Sequence, residues 1–323
     1  MIVVTGGAGF IGSAVIWALN ERGVSDILVV DELGCDERWK NLVNRKFSDY
    51  IHKDEFLDEL EDGVFDDTVE GIIHLGACSS TTEKNADFLM KNNYKYTQHL
   101  AMKCIENNKR FVYASSAATY GDGSCGFSDD HGGLEKLRPL NMYGYSKHLF
   151  DLWALKNKFL DKIAGMKYFN VYGVNEYHKD DMRSVVHKAY HQILETGKVK
   201  LFKSYKEGFK DGWQLRDFLY VKDAVDMTLY LYDNPQINGI YNIGTGKARS
   251  FYDLVAATFK AMVIEPNIEF IDIPESIRDK YQYFTQAEMG KLTKAGYNKK
   301  MYSLEDGIFD YIDKYLTKDS LYL

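Results

Sequence analysis

Proline and cysteine are scarce in this chain, with four of each among 323 residues. So few prolines exclude a proline-rich linker between domains. The cysteines form no C-x-x-C pair, and we assign no metal ligand. Sparse cysteines favour a reducing compartment. Because the sequence also has no leader-like N-terminus and no apolar run long enough to span a bilayer, we expect the cytoplasm.

Positive charge is also in short supply. The 40 lysines and arginines face 47 aspartates and glutamates, which gives a net charge of -7. This balance excludes a general electrostatic affinity for nucleic acid or an anionic membrane. Hydrophobic residues make up 45% of the chain, which is enough for a core. We therefore expect a small-molecule substrate, and any phosphate on it must be bound by local cations or backbone amides.

The first half of the sequence alternates short β-branched segments with amphipathic ones. Four runs are typical of buried parallel strands: Ile2–Thr5, Ile27–Val30, Gly71–His74 and Arg110–Ala114. Helical periodicity lies between them, at Ser13–Glu21 and Phe88–Ile105. This alternation predicts an α/β fold with a doubly wound parallel sheet, the Rossmann arrangement.

The alternation becomes less regular after about residue 170. Two further strands are predicted, at 216–221 and 239–244. The pattern indicates a smaller, discontinuous α/β lobe that binds the substrate. We assign residues 1–170 and 217–244 to an NAD(P)-binding Rossmann domain, and 171–216 and 245–323 to a substrate-binding domain.

Gly6, Gly9 and Gly12 form a G-x-x-G-x-x-G motif between the first predicted strand and the first predicted helix. Without side chains, the backbone can turn tightly and approach a pyrophosphate, which the free N–H groups of the helix N-terminus can bind. Asp31 ends the second strand, at the spacing typical of dinucleotide-binding domains. The sequence therefore predicts a nicotinamide dinucleotide cofactor.

The choice between NAD and NADP stays open at this point. The Asp31 carboxylate would accept hydrogen bonds from the adenosine ribose, which favours NAD, and would repel a 2′-phosphate unless a cation lay nearby. Arg38 and Lys53 are candidates for that cation. A solvated surface charge is an equal alternative for Arg38.

A second motif, Tyr143 with Lys147, would carry the chemistry. Residues four apart share a helix face, so both side chains can reach one site. A free tyrosine has a pKa of about 10, and a nearby ammonium and a cationic nicotinamide would both favour its phenolate. Tyr143 can then remove an alcohol proton while the nicotinamide accepts a hydride. Ser116 would hydrogen-bond the same alcohol, whereas Tyr145 lacks a lysine at i+4 and is expected to pack.

These motifs resemble those of the extended short-chain dehydrogenase/reductase superfamily. The marks are Gly6–Gly12, Ser115-Ser116, Tyr120-Gly121, Tyr143 with Lys147, and Arg216–Phe218. Within the superfamily, the chain is similar to the ADP-L-glycero-D-manno-heptose 6-epimerase family. The segments that carry this likeness are 5–13, 76–83, 113–121, 168–173 and 284–287. They span nearly the whole chain, and Ala77–Glu83 is the most specific part.

The resemblance implies a reaction. Such enzymes oxidise ADP-D-glycero-β-D-manno-heptose at C6 to a ketone with bound NADP and reduce it again on the other face. The L-glycero product supplies heptose for the lipopolysaccharide core. Each epimer needs its own acid–base group, and the family's two groups map onto Tyr143 and Lys179. Without the family match, Lys179 would be interpreted as a solvated loop lysine. The family also implies a homo-oligomer, such as a pentamer.

Binding positions also carry over from the resemblance. Besides the three motif glycines, the cofactor would contact Phe10, Ile11, Asp31, Glu32, Arg38, Lys53, Leu75, Gly76, Ala77, Cys78, Ser79, Asn92, Lys147, Val171 and Lys179. The substrate would contact Asn170, Asp181, Lys188, Phe202, Lys203, Ser204, Tyr205, Arg216 and Tyr281. The family favours NADP, with its 2′-phosphate on Arg38 and Lys53. A guanidinium such as that of Arg216 can bind a diphosphate bidentately.

Several positions depart from the family pattern. Arg38 replaces a lysine, Lys188 replaces a histidine, and Asp180-Asp181 replaces a small Gly-Ser pair. The run 202–205 replaces a Phe-Glu-Gly-Ser type run, and the stretch up to Arg216 is longer by several residues. Because most of these changes lie in the substrate lobe, they bear more on the exact sugar than on the redox chemistry.

Three alternatives to a heptose epimerase exist. A 4,6-dehydratase needs a further acid and base where Ala117 and Ala118 stand, and alanine cannot transfer a proton. A redox-sensing module that binds NADP(H) without turnover would not need the Tyr143–Lys147 pair. A UDP-hexose 4-epimerase shares nearly all of the superfamily motifs, so it is the strongest alternative. The segment Ala77–Glu83 and Lys179 disfavour it.

Overall fold

The computed structural model of the chain describes residues 1–278, 281–318 and 321–323. Its strands are β1 Ile2–Thr5, β2 Ile27–Asp31, β3 Asp49–His52, β4 Gly71–His74, β5 Arg110–Ser116, β6 Ala164–Tyr168, β7 Asn170–Tyr172, β8 Val199–Phe202, β9 Leu215–Tyr220, β10 Gly239–Ile243, β11 Ala248–Ser250 and β12 Ile268–Ile271. Seven of them form one parallel sheet in the order β10-β6-β5-β4-β1-β2-β3. This order confirms the predicted doubly wound sheet.

Helices connect these strands. They are α1 Phe10–Glu21, α2 Lys53–Glu61, α3 Ala86–Leu89, α4 Tyr96–Glu106, α5 Met142–Lys156, α6 Val185–Thr196, α7 Val221–Asp233, α8 Phe251–Ala261, α9 Glu275–Arg278, α10 Gly290–Lys294 and α11 Leu304–Tyr311. Short 3-10 segments lie at Glu37–Leu42, Ala117–Tyr120, His131–Lys136, Phe159–Asp161 and Tyr177–Met182, and π-helical segments at Met90–Lys95 and Ile312–Leu316. No helix among the described residues is long and apolar enough to cross a bilayer.

The central strands are apolar throughout because helices cover both faces of the sheet. Every residue of β1, β2 and β4 is buried, as expected for a sheet with two covered faces. One hydrophobic cluster joins α1 and α7 to the helices α6, α8 and α11. A second cluster, on α2, α4 and α5, packs against the sheet through residues such as Leu100 and Phe150. Each fully buried side chain of this size stabilises the fold by roughly 1.5–3 kcal/mol.

The predicted strands are confirmed with small shifts at their ends. Strand β2 extends to Asp31 and β5 extends to Ser116, so both of these residues lie at strand ends. The predicted strand at 216–221 lies at Leu215–Tyr220. It pairs with β7 and β11 in a separate three-stranded sheet, while β8 and β12 form a two-stranded one. The assigned domain boundaries stay a prediction, although residues 217–220 lie in the small sheet.

The carboxyl ends of the central strands lie side by side, because parallel strands all end at one edge of the sheet. The strand order reverses between β1 and β4. In open α/β sheets, ligands bind in the crevice at this point. Gly6 follows β1 there and Leu75 follows β4, so the fold positions the glycine motif beside the segment after β4.

Candidate active site

A cleft of about 530 Å³ opens at these strand ends, within the size range of ligand sites. Most of the residues predicted to contact a cofactor line it: Gly6, Gly9, Phe10, Ile11, Gly12, Asp31, Glu32, Arg38, Lys53, Leu75, Gly76, Ala77, Cys78, Ser79, Asn92 and Lys179. These residues come from six separate segments of the sequence. The fold therefore brings these residues together in one place, whereas Lys147 and Val171, also predicted to contact the cofactor, are not among the residues that line the cleft.

The glycine motif is shaped for close approach of the backbone. Gly6 has a φ of +67°, and a Cβ there would lie 2.6 Å from the amide nitrogen of Gly76. A Cβ on Gly12 would lie 2.0 Å from the carbonyl oxygen of Gly6. Gly9 is the N-cap of α1 and has no side chain to bond the first N–H groups of the helix. These groups fit a pyrophosphate at the helix N-terminus.

Acidic groups surround the two cations predicted for a 2′-phosphate. The Asp31 carboxylate accepts the N–H of Ala8 at 2.9 Å and that of Glu32 at 2.7 Å. Burial raises the pKa of the Asp31 carboxyl, while these N–H groups and the Arg38 charge act to lower it. The Nη1 of Arg38 lies 3.7 Å from Asp31. The Nζ of Lys53 lies 3.1 Å from Asn92 and 3.4 Å from Glu32.

Helix α5 carries the predicted chemical pair. Its N-cap is Asn141, whose side chain accepts the N–H of Gly144 at 2.8 Å. Tyr143 and Lys147 lie one turn apart on this helix, as the spacing predicts. Lys147 is 4% exposed and its Nζ donates to the carbonyl oxygen of Ala114, at 2.8 Å. Both side chains lie near Cys78, which lines the cleft.

Burial controls the protonation of this pair. Burial raises the pKa of the Tyr143 phenol, and the hydroxyl of Ser116 acts to lower it. Burial also lowers the pKa of the Lys147 ammonium to about 8, against the charge of Asp151. The net direction for Tyr143 is opposite to the one expected from the lysine, because the sequence gives no measure of how deeply the phenol is buried.

Lys179 lies in the 3-10 segment Tyr177–Met182 and lines the cleft. Its Nζ lies 5.2 Å from the centre of the Phe10 ring, within the range of a cation–π contact. Burial lowers the pKa of the Lys179 ammonium, and the buried carboxylate of Glu176 acts to raise it. These contacts disfavour the alternative of a solvated loop lysine.

Six of the nine predicted substrate residues lie near the end of β8 and the start of β9. The guanidinium of Arg216 lies between the rings of Phe251 and Tyr281, 5.6 and 5.5 Å from their centres. The Tyr281 ring meets that of Phe202 edge-on. Asp272 accepts a hydrogen bond from the Tyr205 hydroxyl at 2.6 Å and one from Lys203 at 3.3 Å. Ser204 is anchored by Asp211.

The other three predicted substrate residues lie elsewhere. The Nζ of Lys188 donates to the carbonyl oxygen of Asp181 at 2.5 Å, so these two form a group of their own. Asn170 is exposed and begins β7, and Val171, predicted for the cofactor, follows it. None of the nine, all of them in the described part of the chain, lines the cleft of about 530 Å³. Their assignment stays a prediction.

Several residues at the site have no sequence signal that we recognised. Asp36, Tyr168 and His178 line the cleft. Asn93 is fully buried in the π-helical segment Met90–Lys95. Its side chain accepts the N–H of Cys78 at 2.9 Å and donates to Ser146 at 3.0 Å. It therefore fixes the segment after β4 against α5. Although π-helical turns are frequent at functional sites, no residue pattern in the sequence predicted this one.

Comparisons with known proteins agree with this geometry. A family model described as the NAD dependent epimerase/dehydratase family matches residues 2–244. The chain is 57% identical, over 98% of both chains, to an ADP-L-glycero-D-manno-heptose-6-epimerase of Nitratidesulfovibrio vulgaris strain Hildenborough. It is 53% identical, over the full length of both, to the protein of that name from Fusobacterium nucleatum. The crystal structure of Helicobacter pylori ADP-L-glycero-D-manno-heptose-6-epimerase superposes with a TM-score of 0.80 at 28% identity, over 97% of this chain and 95% of that one.

Proposed function

We propose a function on one premise, that the chain belongs to the NAD dependent epimerase/dehydratase family. It interconverts ADP-D-glycero-D-manno-heptose and ADP-L-glycero-D-manno-heptose by inverting C6 of the heptose, a step that supplies heptose for the lipopolysaccharide core. The full-length relatives support this substrate. The structural observation that supports the proposal is that Lys179 lines one dinucleotide-type cleft, and that Lys147, on the helix of Tyr143, donates a hydrogen bond to the carbonyl oxygen of Ala114, which lines the same cleft.

The cleft fits a nicotinamide dinucleotide. Because Gly6 and Gly12 have no side chains, the backbone there leaves room for a pyrophosphate. Asp31, at the end of β2, would accept hydrogen bonds from the ribose. Arg38 and Lys53 would hold a 2′-phosphate, so NADP and NAD both fit. When bound, the nicotinamide supplies reversible two-electron oxidation of an alcohol carbon.

Two proton-transfer groups follow from Lys179 in the cleft and from Tyr143 on helix α5. Tyr143 would remove and return the proton on O6 of one epimer, with Ser116 donating a hydrogen bond to the same oxygen. Lys179 would do so for the other epimer, because burial lowers the pKa of its ammonium and so makes the neutral amine more accessible than in a solvated lysine. Lys147 would position the nicotinamide ribose and hold its charge near Tyr143.

The second lobe would bind the ADP-heptose. Arg216 offers a guanidinium for the diphosphate, and the rings of Phe202 and Tyr281 beside it offer flat apolar faces. Lys203, Tyr205 and Lys188, which depart from the family pattern, would give this chain sugar contacts that differ from those of the family. We also propose that the chain forms a homo-oligomer, as the family resemblance implies.

One experiment tests the function directly. Purified protein supplied with NADP or NAD is mixed with ADP-D-glycero-D-manno-heptose, and inversion at C6 is followed by NMR. A parallel reaction contains UDP-glucose. We expect an equilibrium mixture of the two heptose epimers and no UDP-galactose. Turnover of UDP-glucose without C6 inversion would replace the proposal with the UDP-hexose 4-epimerase alternative.

A further inference from the structure

A buried ion pair lies behind Lys147, away from the cleft lining. Asp151 follows Lys147 by one helical turn on α5, and Lys167 lies on β6. Both side chains are 0% exposed, and Nζ of Lys167 lies 3.1 Å from Oδ2 of Asp151. The same carboxylate accepts the hydroxyl of Tyr113 at 3.0 Å and that of Ser115 at 2.7 Å. Asp151 is therefore held by side chains from both β5 and β6.

This network connects to both Lys147 and Ser116. Ser115 lies between Ala114, whose carbonyl oxygen accepts from Lys147, and Ser116. Lys167 also donates to the hydroxyl of Thr119, which in turn donates to the carbonyl oxygen of Ser116 at 2.8 Å. The network thus joins the strand end that carries Ser116 to the helix that carries Tyr143.

Few titratable groups face Lys147. On its own helix the group is Asp151, and on the segment after β4 it is Cys78. On β4 the nearby group is His74, whose ring nitrogens bond the hydroxyls of Thr5 and Thr97 and whose pKa burial holds well below its ordinary value. Lys167 on β6 meets Lys147 only through Asp151. Among these groups, Asp151 is the carboxylate that favours the charged form of Lys147.

We propose that Asp151, held in place by Lys167, is a positioning residue that keeps Lys147 protonated and docks α5 on β5, so that Tyr143 and Ser116 face the same alcohol. This role rests on the proposed function. A buried ion pair adds little to stability compared with apolar side chains of similar volume, so its presence here calls for another reason. A neutral residue at position 151 would lower the pKa of the Lys147 ammonium, because burial would then act without an opposing carboxylate.

The test measures the protonation of Lys147 itself. Protein labelled with 13C at the lysine Cε is titrated by NMR without cofactor, and the Lys147 signal is assigned by its loss in Lys147→Arg. We expect Asp151→Asn to lower the pKa of Lys147 by about one unit, which at pH 8 reduces its protonated fraction about fivefold. The alkaline limb of the kcat/KM profile should move to lower pH by the same amount. Asp151→Glu, which keeps the charge, should restore most of both.

A matched control lies in the second lobe. Asp310 is 4% exposed and accepts the Tyr220 hydroxyl at 2.7 Å and the Lys222 ammonium at 2.6 Å, and these three residues lie outside the cleft lining. Asp310→Asn should lower stability without moving the Lys147 titration. If Asp151→Asn does not fold, the double variant Asp151→Asn/Lys167→Met removes both charges and carries the same expectation.

The outcomes separate this role from the proposed function. An unchanged Lys147 pKa in the Asp151 variants, or an equal change in Asp310→Asn, overturns the positioning role whatever the epimerase assay shows. A lowered Lys147 pKa in a protein that does not invert C6 supports the electrostatic effect and contradicts the proposed reaction.

Discussion

The guanidinium of Arg38 is held by the carboxylate of Asp36. Its Nε lies 2.9 and 3.0 Å from the two carboxylate oxygens, and its Nη2 lies 2.6 Å from Oδ2. The cation predicted to bind a 2′-phosphate is therefore already paired, and the hydrogen bonds and charge of Asp36 raise its pKa further. A 2′-phosphate would have to share Arg38 with Asp36 or displace it.

This pair leads to a prediction about cofactor preference. Asp36→Asn keeps the N-cap acceptor of the 3-10 segment Glu37–Leu42 but removes the charge, so NADP should bind about tenfold more tightly relative to NAD. Arg38→Ala should shift the ratio the other way. Calorimetric titration of cofactor-free protein with each dinucleotide measures both. Glu37→Gln, which removes an exposed partner of Lys40, is the control, and an unchanged NADP/NAD ratio in Asp36→Asn would contradict the prediction.

The two-group mechanism predicts the effect of removing each group. Tyr143→Phe and Lys179→Met should each lower kcat/KM for C6 inversion by about 10²–10⁴, the usual worth of a positioned acid–base group. The double variant should show no inversion. Tyr145→Phe is the matched control, because Tyr145 lies on the same helix but is 45% exposed. Full activity of Lys179→Met on both epimers would remove Lys179 from the mechanism.

The backbone beside Lys179 predicts a gain in stability. Asp180 has a φ of +44° and a ψ of -121°, a conformation that glycine adopts without strain and that interrupts the 3-10 segment. This is the position where the family resemblance leads one to expect a small Gly-Ser pair. Asp180→Gly should raise the free energy of unfolding by about 1 kcal/mol in urea titrations. Asp181→Gly should lower the free energy of unfolding or leave it unchanged. Equal effects of the two changes would contradict backbone strain at Asp180.

Asp223 on α7 predicts a pH dependence of stability. Its carboxyl is buried and accepts the N–H of Tyr302 at 2.9 Å, and burial raises its pKa to about 7. The unfolded carboxyl has a pKa of about 3.9, so between the two values the folded chain binds more protons and its stability falls as pH rises. Asp223→Asn should therefore raise the free energy of unfolding, measured by urea titration, by roughly 2 kcal/mol over wild type at pH 8. It should give no gain near pH 4.

The control for this change lies one turn along the helix. Asp226 forms hydrogen bonds with the Tyr297 hydroxyl and with Lys299. Asp226→Asn weakens a paired carboxylate and should lower stability at pH 8. If Asp223→Asn destabilises the protein equally at both pH values, the buried carboxyl is not the source of the pH dependence.

The sequence by itself determined the sheet and the two motifs. Buried parallel strands are apolar along their whole length, so β1, β2, β4 and β5 were predictable from local composition. The glycine motif and the Tyr143–Lys147 spacing were predictable because each depends on the geometry of one turn or one helix. The family resemblance added Lys179, which no local pattern would have singled out.

Only the tertiary structure decided how these parts act on each other. The pairing of Asp36 with Arg38, the contact of Asn93 with Cys78 and the burial of Asp151 against Lys167 depend on which groups meet and how much water they lose. Desolvation raises the pKa of Tyr143 although a lysine lies one turn away, and β9 pairs outside the main sheet although its residues are nearly all buried, as in a central strand. Residue types fix what a side chain can donate or accept, whereas its charge state and partners are set by packing between segments that are distant in the chain.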